Sequence, residues 1–131
     1  MSVEARAVFC DDIRREDNGK AILIGVYTSD LIPGVLPTNI SLSLWLDIRG
    51  VPLGHHKLTI TVELPAQEKI SVPGEIDVQE TEKPITLMFV GMPAALKEPG
   101  FIKVVLDILG AEVVAGQLMV TEPPQVQPVK S

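Results

Sequence analysis

The chain has 131 residues, enough for one domain that buries roughly two-thirds of its unfolded surface without staples. Hydrophobic residues make up 46% and aromatics only 4%, so the core must be built from Val, Ile and Leu; 11 prolines and 10 glycines between short apolar runs exclude an all-helical bundle. A net charge of −6, with Lys and Arg dispersed, argues against nucleic acid and anionic membranes as partners.

Strand-like runs fall near residues 3–10, 20–28, 40–49, 56–64, 68–72 with 75–79, 84–91, 101–109 and 112–120. After the first, Asn18-Gly19 suits a two-residue hairpin turn because both residues tolerate positive φ. The run Ala21 to Tyr27 is apolar on both faces, which predicts a central strand, covered by the facing sheet on one side and by loops or another chain on the other. Its Gly25 permits a bulge or a close approach. In Ser41 to Ile48 the alternation turns Leu42, Leu44, Leu46 and Ile48 inward, and puts Trp45 outward with Ser43, Asp47 and Arg49. Lys57 to Leu64 alternates equally well, and the short loop from Gly50 to Gly54 predicts that the two runs form a hairpin.

Pro73-Gly74 is expected to split the next segment into two short strands at a sheet edge. Six acids from Glu63 to Glu82 (Glu63, Glu68, Glu75, Asp77, Glu80, Glu82) read there as a solvated border that resists aggregation. Pro93 to Glu98 has the one spacing compatible with a turn or two of helix, and Leu109-Gly110-Ala111-Glu112 suits a second hairpin. The rhythm predicts an all-β fold, a two-sheet antiparallel β-sandwich, immunoglobulin-like or similar, of about seven to nine strands. It occupies residues 1–121, and the Pro-rich residues 122–131 are expected to be a flexible tail.

Phe9-Cys10-Asp11-Asp12-Ile13-Arg14, followed by Gly19-Lys20 and Leu23-Ile24-Gly25-Val26-Tyr27, resembles the opening of a family of small bacterial proteins that carries only a domain-of-unknown-function label. The likeness extends to Pro99-Gly100-Phe101 before the last hairpin. It implies a β-rich fold and a bacterial or prophage origin. It assigns no activity and no functional residue.

No catalytic or cofactor constellation stands out. His55 and His56 are adjacent in a strand and point to opposite faces, so they do not grip one metal ion. Asp11, Asp12, Glu16 and Asp17 gather carboxylates near one loop, but their spacing is not that of a calcium loop and Arg14 and Arg15 sit among them, which favours a salt-bridged loop. Cys10 reads as a buried structural thiol, and the glycines lack the spacing of a phosphate loop. Trp45 is either covered, by a loop or the C-terminal tail, or used as an interface contact with Arg49 and Ser43.

The lone cysteine, the absence of a secretory-signal pattern after Met1, and apolar runs too short to span a bilayer predict a cytoplasmic protein that is not anchored to a membrane. The leading expectation is a non-enzymatic interaction or assembly module, with no cofactor, bound to a protein partner or to itself through the Trp45 face or a sheet edge. One alternative is a β-sandwich that binds a ligand or metal ion through residues 11–17. Another, from the resemblance alone, is a phage-related structural or phage–host conflict protein.

Overall fold

The computed structural model describes residues 2–124. Among these residues nine strands make two sheets: β1 (Glu4–Arg15), β2 (Ala21–Val26), β3 (Asp30–Leu31), β4 (Thr38–Arg49), β5 (Gly54–Leu64), β6 (Glu68–Val78), β7 (Ile85–Leu96), β8 (Gly100–Ile108) and β9 (Ala111–Val120). The four-stranded sheet runs β2-β1-β4-β7 and the five-stranded sheet β3-β9-β8-β5-β6. The chain changes sheet from β2 to β3, β3 to β4, β4 to β5, β6 to β7 and β7 to β8, so its connections pass repeatedly between the two layers of a β-sandwich. All pairings are antiparallel except the two-residue parallel contact of β3 with β9, a departure from the purely antiparallel expectation.

The core lies between the sheets. Leu42, Leu44, Leu46 and Ile48 of β4, all completely buried, face Leu58, Ile60, Val62 and Leu64 of β5 together with Ile102, Val104, Leu106 and Ile108 of β8. Alternation decides this, because every second side chain of a strand meets the same face. Burying a side chain of this kind contributes roughly 1.5–3 kcal/mol, so the twelve residues named dominate stability.

Several elements differ from the sequence expectation. Residues 41–48 and 57–64 do not form a hairpin: β4 pairs with β1 and β7, whereas β5 pairs with β6 and β8. Two strands whose apolar faces are both fully used stabilise each other better across the core than side by side, and Gly50, at φ +84°, lets the chain cross between sheets. Pro73-Gly74 does not split β6, which pairs continuously with β5 and has Pro73 opposite Thr59. Because β6 is an edge strand, the missing N–H of Pro73 is tolerated there. Pro93 to Leu96 continue β7 instead of forming a helical turn, since Pro93, Ala94, Ala95 and Leu96 pair with β4 and Ala94 and Leu96 fill the core.

The first hairpin also differs in its turn. Glu16 N–H donates to the Lys20 carbonyl and Gly19 N–H to the Glu16 carbonyl, each at 2.9 Å, enclosing three residues; Gly19 alone takes positive φ, and Asn18 does not. This is the three-residue hairpin ending in a left-handed glycine. At the other hairpin Leu109 and Gly110 both take positive φ, between the paired Ile108 and Ala111. Thr121 is tied back by its N–H to the Leu31 carbonyl, residues 122–124 lack regular structure, and the rest of the expected tail lies outside the described residues.

Candidate functional site

β2 departs furthest from the sequence expectation. Its apolar run does not form a central strand: β2 is the edge of the four-stranded sheet, hydrogen-bonded to β1 alone, and Leu23 is its one half-buried residue, the others being exposed. Pairing puts Ile22, Ile24 and Val26 opposite Arg14, Asp12 and Cys10, on the outer face. Val8, Trp45 and Met88 form the adjacent cross-strand row, with Val90 beyond them on β7. One apolar stripe therefore crosses all four strands on the side away from the core. Ile22, Ile24, Val26 and Val90 leave between 44% and 55% of their surface exposed, and Val8, Trp45 and Met88 are half-buried in one another's company.

Charged residues border this stripe. Glu4 pairs with Arg49 and Arg6 with Asp47 across β1 and β4 at one end, and the Arg14 Nε donates to Asp12 Oδ2 at 2.7 Å at the other. That hydrogen bond holds the Asp12 carboxyl below its ordinary value. Arg49, exposed, donates to the nearly buried Asp47 at 3.2 Å, so its guanidinium sits at the rim over Asp47, on the same face as Trp45. Ser43, expected among the interface contacts, is completely buried instead. Its hydroxyl donates to the Asp11 carbonyl at 3.2 Å and accepts from Gly91 N–H at 3.0 Å, satisfying backbone groups where β7 carries its extra residue. It clamps the sheet from within. Cys10, in the same row, is buried, and burial pushes its thiol up, with Asp11 and Asp12 adding to the effect.

The acidic residues 11–17 are not drawn into one cluster. Tyr27 Oη donates to Asp11 Oδ1 at 2.8 Å; burial first, then that carboxylate, pushes the phenol up to about 12. Asp12 is engaged by Arg14 and by the N–H of Ile13, while Glu16 and Asp17 lie exposed in the turn. Among the described residues no three His, Cys, Asp or Glu side chains are placed to share a cation. His55 Nδ1 lies 2.7 Å from Asp77 Oδ1 and its Nε2 3.2 Å from Glu75 Oε2, while His56 Nε2 bonds the Pro52 carbonyl, on the other side of β5 as alternation requires.

The five-stranded sheet presents a different outer face. Its rows are cross-strand polar sets such as Lys57 with Glu75, Thr61 with Ser71, and Glu63 with Lys69 and Lys103. The exposed apolar residues there, Phe101 with Met119 and Val114, are separated by the Lys103–Gln117 row. Trp45, singled out from its parity in the sequence, was the one legible member of the apolar stripe. The signal for Ile22, Ile24 and Val26 lies in the even positions of Ala21–Val26, which parity places together once β2 is known to be an edge, whereas Val8, Met88 and Val90 join them only through the pairing of β1, β4 and β7.

The fold thus defines a class, a two-sheet β-sandwich with a continuous apolar stripe on one outer face and a mostly polar surface on the other. The chain belongs to DUF6941, a family of unknown function whose model matches residues 5–121. The match spans every strand from Ala5 of β1 to the end of β9. No curated protein matches the chain. Asp11, Gly25 and Tyr27, apart in the opening motif, meet in the structure: a Cβ at Gly25 would collide with the Asp11 carboxylate that Tyr27 holds. These three residues of the first hairpin therefore form one contact. No helix among the described residues is long and apolar enough to cross a membrane.

Proposed function

We propose that the protein is a cytoplasmic, non-enzymatic interaction module that docks another protein surface on the outer face of the β2-β1-β4-β7 sheet. The observation that carries this reading is the contiguous apolar stripe of Ile22, Ile24, Val26, Val8, Trp45, Met88 and Val90, lying opposite the core and rimmed by acid–base neighbours. An apolar centre with a tryptophan, ringed by polar groups and an arginine, has the composition of a protein interface. A patch of this kind on a soluble domain marks a binding surface more often than an accident of composition.

The test is affinity capture from the native cytoplasm with three baits: wild type, Ile24→Asp and Val114→Asp, the last on the opposite outer face. Loss of a bound protein with Ile24→Asp alone is the expected result. Equal recovery by all three baits, each verified as folded, would remove the docking face from consideration.

A further inference from the structure

We infer that the occupant of this face is the same face of a second copy of this chain, the two four-stranded sheets packing against each other about a two-fold axis. The inference rests on the docking reading above and narrows its partner to the chain itself.

Charge supports it first. Each copy carries a net −6, so two copies repel through most approaches. The outer face of this sheet is the exception, because Glu4, Asp12 and Asp47 are matched in number by Arg6, Arg14 and Arg49 and the face sums to zero. Glu4, Arg6, Asp47 and Arg49 lie at one end of the stripe and Asp12 and Arg14 stand beside Ile24 and Ile22, each acid with a base as neighbour, so the face presents no block of like charge to a second copy. A strongly basic or acidic partner would find no complement here, whereas a copy of the same balanced face does.

Area supports it second. Four strands about 4.8 Å apart and up to 12 residues long, at about 3.3 Å per residue, present roughly 700 Å². That is close to the ~800 Å² per partner of a stable interface. The β2 edge supplies a third argument. Edge strands are ordinarily guarded by charge, proline or bulges; β6 carries Lys69, Pro73, Glu75 and Asp77, and β7 has Pro93 and its extra residue near Gly91. β2, with neither charge nor proline, lies at the rim of the proposed contact, where a second copy shields it.

Sedimentation velocity of the full chain, from low micromolar to several hundred micromolar, tests the inference on wild type, Ile24→Asp, Trp45→Ala and Val114→Asp. The expected result is a dimer for wild type and Val114→Asp, with the dissociation constant raised roughly thirtyfold or more in the other two. Ile24 is half-exposed in the single chain, so its substitution leaves the fold intact, which circular dichroism verifies. A wild type that stays monomeric throughout overturns the inference. A partner lost by Ile24→Asp in the capture experiment would then still uphold the docking reading. A dimer that survives both Ile24→Asp and Trp45→Ala also overturns it, because the contact then lies elsewhere.

Discussion

At position 25 two requirements coincide. Gly25 takes φ of +68°, a conformation that costs an L-residue roughly 1–2 kcal/mol. The space a Cβ would enter is also filled by the Asp11 carboxylate, which the Tyr27 hydroxyl tethers. Gly25→Ala should therefore lower stability by about 2–4 kcal/mol, the sum of backbone strain and overpacking. In an Asp11→Ala background the same change should cost only about 1–2 kcal/mol, since the backbone term alone remains. Urea denaturation of the four proteins in this cycle measures the difference, and full additivity would show that the carboxylate is not what excludes the methyl group. Leu109 presents the converse case, a branched side chain at φ +56° in the β8–β9 turn, more than half exposed. Leu109→Asn keeps the turn and favours its left-handed backbone, so the midpoint of thermal unfolding should rise by a few degrees, about 1 kcal/mol or less. An unchanged or lowered midpoint would mean that the leucine makes a stabilising contact.

The β5–β6 pair offers a prediction one level up. His55 faces a carboxylate with each ring nitrogen, Asp77 directly across the ladder and Glu75 two residues on, a geometry that calls for a doubly protonated ring. The Asp77 hydrogen bond is the main reason its pKa rises above the ordinary 6.5, with the charges of Asp77 and Glu75 adding to it against slight desolvation. A raised folded-state pKa means stabilisation that is full below the unfolded value and lost as pH rises through the folded one. Wild type should thus exceed His55→Gln in urea midpoint below pH 6.5 while both acids stay ionised, and the gap should close as the pH passes the raised pKa. A gap independent of pH would assign the effect to packing. Elements differ in how plainly their sequences announce them. β4 and β5 alternate cleanly because one face meets the core and the other does not, and their inward residues were legible for that reason. β2 misleads because an apolar outer face has the same composition as a strand buried on both sides, and only the pairing order reveals it as an edge. The crossing from β4 to β5 was hidden for a related reason, since a short loop with glycine at each end serves a hairpin or a change of sheet equally well.

Across the whole molecule the surplus of negative charge and the apolar stripe lie on different surfaces. Seventeen acids oppose 11 bases, yet the proposed contact face holds three of each. Two copies meeting there gain from burial of apolar surface, and the remaining negative charge of each opposes the approach at longer range. Salt shortens that range, from about 30 Å at 0.01 M to about 8 Å at 0.15 M, while leaving the burial of apolar groups essentially untouched. The association should consequently tighten as salt is added, opposite in sign to complexes held by ion pairs. Between about 0.01 M and 0.15 M salt at neutral pH, the dimer dissociation constant from sedimentation equilibrium should fall by a few-fold. Substituting Arg6→Gln, which leaves the face net negative, should steepen that dependence by adding repulsion at the contact itself. A dissociation constant that instead rises with salt would show that charge pairing, and not the Ile22-Ile24-Val26-Trp45 stripe, holds the copies together.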